Sequence, residues 1–129
     1  MIILKNIKKK FGNQIALDDI SFSIEKGEIF GFLGPSGSGK STTINLLTGQ
    51  LKQDSGEAQV LGKDTNNISS DDLLNFGIMT DTIGFYERLS IYKNLLFFAK
   101  FHNVSVDYLD QLLKDLDLFK DKNKKALDL

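Results

Sequence analysis

Apolar positions early in the chain recur at strand spacing. Ile2, Leu4 and Ile7 open a β-rich start, and the lysines of Lys8–Lys10 are expected to be solvated. Ile20, Phe22 and Ile24 alternate with polar residues, the period-two pattern of a half-buried strand. Lys26–Gly27 then reads as a turn. The run Ile29-Phe30-Gly31-Phe32-Leu33 is nearly all apolar and predicts a strand covered on both faces, as in a parallel sheet. After a Gly/Ser-rich stretch, Ile44, Leu47 and Leu51 fall at spacings of three and four. They predict a helix from about Lys40 to Thr48, with Gly49 as its stop. Ala58–Leu61 reads as a short strand, Ser69–Leu74 as a short helix capped near Ser70 or Asp71, and Phe76–Thr80 as another buried strand. From Ile91 to Phe101, and again from Val106 to Leu118, the pattern is helical. β-rich sequence thus leads and helical sequence follows, without internal repeats or low-complexity segments.

Composition narrows the chemistry. The 129 residues suit one domain. Sixteen basic and seventeen acidic residues leave a net charge of −1, so no global positive field points to nucleic acid. Without cysteine there are no disulfides, thiolate zinc sites or cysteine nucleophiles. The single His102 cannot build a histidine metal cluster and reads as a surface or partly packed helix residue. In the N-terminal MIILKNIKKK the apolar residues precede the lysines, the reverse of a signal peptide. The densest apolar run, Leu95–Ala99, is far below the ~20 residues needed to cross a bilayer. The default expectation is a cytoplasmic protein, and a membrane role would need a partner subunit to do the crossing.

The strongest chemical signal is Gly34-Pro35-Ser36-Gly37-Ser38-Gly39-Lys40-Ser41, which meets G-x-x-x-x-G-K-[ST] at every fixed position. Glycines let the backbone curl so that successive N–H groups point at phosphate oxygens. The helix that follows aims the positive end of its dipole at the same anion. In this pattern Lys40 reaches the β- and γ-phosphates and the Ser41 hydroxyl is a Mg²⁺ ligand. A buried strand is expected before the loop and an amphipathic helix after it, which argues against an ordinary Gly/Ser turn. The ligand expected is ATP with Mg²⁺.

The wider sequence then takes on a family likeness. Phe11-Gly12 precedes Ala16-Leu17-Asp18-Asp19-Ile20-Ser21-Phe22, then Glu25-Lys26-Gly27-Glu28-Ile29, then Gly31-Phe32-Leu33 and the loop through Thr43. Ser55-Gly56 and Gly62-Lys63-Asp64 follow. This order resembles the nucleotide-binding subunit of an ATP-binding cassette (ABC) transporter over the whole chain. Gly84-Phe85-Tyr86-Glu87-Arg88-Leu89-Ser90, followed by Asn94-Leu95-Leu96, is similar to exporters of peptide antibiotics. The resemblance implies that Phe11 stacks on adenine, where its plain alternative is a strand-end Phe, and that Thr42 meets the α-phosphate. Asp81 stands where the family usually has a Gln that touches Mg²⁺ and the attacking water. A carboxylate can still ligate Mg²⁺ but cannot donate a hydrogen bond, so Asp81 is either Mg²⁺-linked or a solvated loop residue.

What the family carries beyond these motifs is not in this sequence. A signature segment, an apolar strand ending in Asp-Glu, and a switch His are missing. The resemblance therefore implies the N-terminal half of the domain, an incomplete α/β P-loop fold. Residues 1–82 would form a β-rich nucleotide-binding core portion with antiparallel strands and P-loop core strands, and 83–129 a partial helical subdomain. The family's general base is a Glu after the second apolar strand. Glu25, Glu28, Glu57 and Glu87 are the only glutamates, and none follows that pattern. This chain is expected to bind ATP without hydrolysing it alone. The implied partners are a membrane-spanning transporter subunit and a second nucleotide-binding subunit, on the inner face of the cell membrane. A non-catalytic nucleotide-binding or interaction fragment is the alternative. A GTPase is a lesser one, because Asp81-Thr82-Ile83-Gly84 fits D-x-x-G while the guanine-reading N-K-x-D is missing. The apolar residues of Ile91–Phe101 exceed one core-facing stripe. That helix is either buried on most sides or presents a partner surface.

Overall fold

The computed structural model describes residues 1–79 and 84–128. Asp81, with Thr80, Thr82 and Ile83, lies outside the described residues. The chain divides into two compact units, Met1–Phe76 and Gly77–Leu129.

The first unit is built on an antiparallel sheet of order β2-β1-β3-β4, with β1 Ile2–Phe11, β2 Gln14–Ile24, β3 Ser55–Val60 and β4 Lys63–Asp64. A period-two strand cannot put both Leu4 and Ile7 on one face, yet both are buried. A bulge on β1 between them resolves this. Asn6 takes a φ of 50°, a conformation that Asn tolerates better than most residues. A compensating bulge on β2 holds Asp19 at 56° and lets Leu17 and Ile20 share the inner face. The two bulges are bonded: Asn6 Nδ2 donates to Asp19 Oδ1 at 2.9 Å, and Asn6 N–H donates to Ser21 Oγ at 2.8 Å. On the other side Gly56, at φ 92°, lies so close to β1 that a Cβ would fall 2.4 Å from Asn6 O.

Helix α1, Lys40–Leu47, covers the inner face and completes a core of Leu4, Ile7, Leu17, Leu46 and Ala58. The buried stripe differs from the expected one: Thr43 and Leu46 point inward, while Ile44 is 47% exposed. Thr43 can enter the core because its hydroxyl donates to Gly39 O at 2.9 Å, so no polar atom is left unpaired. Gly49, at φ 72°, ends the helix as expected, with its N–H on Leu46 O. Helix α2, Ser70–Leu73, is capped one residue earlier than expected, by Ser69.

Two expected strands are not formed among the described residues. Ile29–Leu33 has no strand partner, and Ile29 and Leu33 are 100% and 94% exposed. A buried parallel strand needs hydrogen-bonded neighbours on both sides, and all described sheet pairs are antiparallel and lie elsewhere. Side-chain stacking remains: Phe30 and Phe32 lie 5.1 and 5.6 Å from Phe22, centroid to centroid. Phe76–Met79, the described part of the other run, is likewise irregular, and Thr80 lies outside the described residues.

The second unit holds α3, Ile91–His102, and α4, Val106–Asp115. Each is capped by a serine, Ser90 and Ser105, whose hydroxyl accepts the N–H three residues on. Leu109 and Leu113 of α4 are buried, as are Ile91 and Ala99 of α3. Phe97, Phe98 and Phe101 remain 38–67% exposed, so α3 is not enclosed within its own unit. His102 is exposed at the end of α3.

Candidate nucleotide-binding site

The loop between Leu33 and α1 is shaped by three glycines with separate tasks. Ser38 N–H closes a turn on Pro35 O at 3.2 Å, and Gly37 within it takes a φ of 79°. Gly39 takes a φ of 90° and caps α1. A Cβ on Gly39 would lie 2.6 Å from Ala16 O and 2.7 Å from Leu17 Cδ2. The helix therefore begins pressed against β2, and only glycine fits there. At Gly34 a Cβ would meet Ser38 Oγ at 2.5 Å, so the two arms of the loop approach closely there.

Helix α1 starts with no side-chain cap and no acidic residue in its first turn. Its leading N–H groups lack intrahelical partners by construction. They stand at the positive end of the helix dipole, an arrangement suited to an anion. Lys40, half-buried, folds back over the loop. Its ammonium donates to Gly34 O at 2.6 Å, to Pro35 O at 2.8 Å and to Ser38 Oγ at 3.4 Å. The loop thus curls around one cation. Ser36 and Ser41 are exposed and Thr42 is half-buried on the first turn.

Phe11 ends β1 and is 52% exposed. It lies two residues beyond Lys9, which pairs with Leu17, the residue touching Gly39. Residues two apart on a strand share a face, and Lys9 Nζ does sit 5.6 Å from the Phe11 ring centre. The hairpin tip carrying Phe11 therefore belongs to the same end of the sheet as the glycine loop. This role of Ala16 and Leu17 as the floor under Gly39 was not legible from the motif. The glycine immediately before the helix was its one visible signal.

Among the described residues no group of three or more His, Asp or Glu could hold a metal ion by itself. The donors present fit Mg²⁺ differently. That ion takes oxygen ligands and keeps several waters and phosphate oxygens in its shell, so the exposed Ser41 hydroxyl is of the right chemistry to be one ligand among several.

The ABC transporter family model matches residues 17–128. This chain belongs to the ABC transporter family. It is 41% identical over 99 residues, 77% of its length, to the probable multidrug ABC transporter ATP-binding protein YbhF of Escherichia coli. It is 38% identical over 109 residues, 81% of its length, to the linearmycin resistance ATP-binding protein LnrL of Bacillus subtilis. Among solved structures, the dimeric post-hydrolysis state of the ATP-binding cassette MJ0796, bound to ADP and Pi, superposes on all of the chain with a TM-score of 0.73 and 27% identity. The chain spans 17% and 34% of the two relatives and 63% of that cassette. Its fold is thus that of part of an ABC-type P-loop cassette, an α/β fragment with an antiparallel sheet.

Proposed function

We propose that this ABC chain binds ATP through Gly34–Ser41 and serves as the ATP-binding part of a transporter, coupling nucleotide binding and hydrolysis in the whole protein to transport across a membrane. The observation that carries the reading is the Lys40 ammonium, held inside the glycine loop in front of an uncapped helix start. Backbone N–H groups of Gly37–Lys40 and the Lys40 ammonium bind the β- and γ-phosphates. Gly34, Pro35, Ser36 and Ser38 shape the loop, Thr42 meets the α-phosphate, and Phe11 stacks on the base. Mg²⁺, held by Ser41 with Asp81 as a further ligand, would neutralise charge on the phosphates. The first unit, with residues up to about 82, is the nucleotide-binding portion, and 83–129 is a partial helical subdomain.

Among the described residues no helix is long and apolar enough to cross a membrane. The reading therefore includes a membrane-spanning partner subunit and a second nucleotide-binding subunit, with the chain peripheral on the cytoplasmic face. The named relatives, a probable multidrug transporter protein and a linearmycin resistance protein, support antibiotic-like cargo.

Calorimetric titration with Mg-ATP and with inorganic triphosphate tests the site. Lys40→Ala is expected to weaken both ligands about tenfold or more, or at least ~1.4 kcal/mol. Phe11→Ala is expected to weaken ATP and leave triphosphate nearly unchanged, because stacking acts on the base. Equal ATP affinity in wild type and Lys40→Ala would remove the phosphate assignment. Matched losses of both ligands on Phe11→Ala would make Phe11 structural.

A further inference from the structure

The second unit carries a polar cavity of about 320 Å³ lined by Arg88, Leu89, Ser90, Lys93, Asn123 and Lys125. It is built by backbone pairing between two stretches distant in sequence. Ser90 and Lys125 form an antiparallel bridge. Ala126 N–H donates to Leu89 O at 3.0 Å, Leu127 N–H to Glu87 O at 3.1 Å, and Ile91 N–H to Lys124 O at 3.0 Å. Asn94, buried on α3, ties the same stretch down: its Oδ1 accepts from Tyr86 N–H at 2.7 Å and its Nδ2 donates to Ser90 O at 3.1 Å. The backbone frame of the cavity is therefore a fixed feature of this unit, and the exposed side chains of Arg88, Lys93, Asn123 and Lys125 extend from it.

Its chemistry is one-sided. Arg88, the only arginine in the sequence, and Lys93 and Lys125 are cations, while Ser90 and Asn123 add a hydroxyl and an amide donor. No carboxylate is among the described residues that line it. The neighbouring cations Lys122 and Lys124 are engaged with Asp110 and Asp121, whereas the ion pairs among the described residues include none of Arg88, Lys93 and Lys125. The first-turn amides of α3 are already used. Ile91 and Tyr92 donate to Lys124 O and Lys122 O, and Lys93 N–H donates to Ser90 Oγ at 3.2 Å. Recognition therefore falls to side chains. The Ser90 hydroxyl accepts that bond and keeps its own proton to donate.

We propose that this cavity is an anion site for a phosphate group, built from residues other than the Gly34–Ser41 loop. A guanidinium fork can give two parallel bonds, and two ammoniums, a hydroxyl and an amide line the same cavity. That is more donors than the two oxygens of a carboxylate can take, and it suits the several oxygens of a phosphoryl group. The volume is many times the ~30 Å³ share of one water, so the group enters with part of its hydration. The phosphate can come from a soluble phosphate compound or from an anionic lipid headgroup.

Hydrogen–deuterium exchange on the full chain in dilute solution, titrated with inorganic pyrophosphate, tests this. Pyrophosphate is expected to slow exchange saturably in peptides covering 87–93 and 122–126, in wild type and in Lys40→Ala alike. In R88Q/K125Q the apparent affinity read from those peptides should fall about tenfold, as expected for two exposed charge contacts. The charge-keeping R88K/K125R should retain most of it. Peptides covering the phosphate loop should respond as in wild type throughout, which separates this site from the nucleotide site. No slowing in wild type, or an unchanged response in R88Q/K125Q, overturns the proposal. Should that double variant not fold, K93Q is read by the same criterion. Co-sedimentation with phosphatidylglycerol and phosphatidylcholine vesicles assigns the source. Loss of phosphatidylglycerol binding in R88Q/K125Q points to the headgroup. Vesicle binding indifferent to the substitutions, with the pyrophosphate effect intact, points to a soluble phosphate.

Discussion

At Gly39 one added carbon would meet two obstacles at once. The backbone sits at φ 90°, where L side chains are strained, and a Cβ would lie within 2.7 Å of both Ala16 O and Leu17 Cδ2. The backbone oxygen cannot move without disturbing β2. Gly39→Ala should therefore destabilise the first unit by about 1–3 kcal/mol and weaken Mg-ATP binding as the start of α1 shifts. Gly37→Ala, where nothing lies within 4 Å of a Cβ, carries only the backbone strain of its φ of 79°. Denaturant melts of both variants check this, with the larger loss expected at Gly39. A smaller loss at Gly39 than at Gly37 would mean that β2 yields and does not form a rigid floor.

At the level of elements, the short helix α2 stands on a reciprocal cap. Ser69 Oγ accepts Asp72 N–H, and Asp72 Oδ2 accepts Ser69 N–H at 2.9 Å and Ser69 Oγ–H at 2.7 Å. Lys63 of β4 adds its ammonium at 2.5 Å. The Lys63 ammonium, and after it the Ser69 hydroxyl and amide, hold the Asp72 carboxyl well below its ordinary value of 3.8. A carboxyl depressed in the folded state contributes stability that is fully present above its unfolded pKa and lost as pH falls through the folded one. The cap should thus survive acidification past 3.8 and fail only at lower pH. Amide exchange of residues 69–74 measured down the acid range checks this. In Asp72→Asn the acid dependence should vanish. Loss of protection already at pH values above the ordinary carboxyl range would contradict the pairing.

For the whole molecule, two expectations follow from what the chain carries. Ile29 and Leu33 are almost fully exposed on a segment whose backbone joins no described strand. Unpaired, apolar backbone of this kind recruits other chains. Light scattering should show concentration-dependent self-association, and a compact monomer at high concentration would contradict it. Turnover is the second. Phosphoryl transfer to water needs the phosphates held, the metal placed and the water positioned. In the proposed reading the loop and Ser41 would address the first two, and none of the four glutamates stands where the family resemblance expects the general base. A well-placed general base is worth about 10²–10⁴ in rate, so phosphate release by this chain alone should stay at background. Lys40-dependent release would show that another group acts as the base.

The spacing of residues alone determined the phosphate motif, the extent of α1 and its glycine stop, and the positions of α3 and α4. These features are local: a left-handed glycine or a period of 3.6 depends on neighbours a few positions away. Only tertiary structure decided which face of α1 is buried, since Thr43 enters the core through a bond to Gly39 O that hydrophobic spacing does not encode. It likewise decided the paired bulges at Asn6 and Asp19 and the fit of Gly39 against Ala16 and Leu17. The failed expectation at Ile29–Leu33 has the same origin. An apolar run reports that a segment would gain from burial, but a strand exists only where other strands supply its hydrogen bonds.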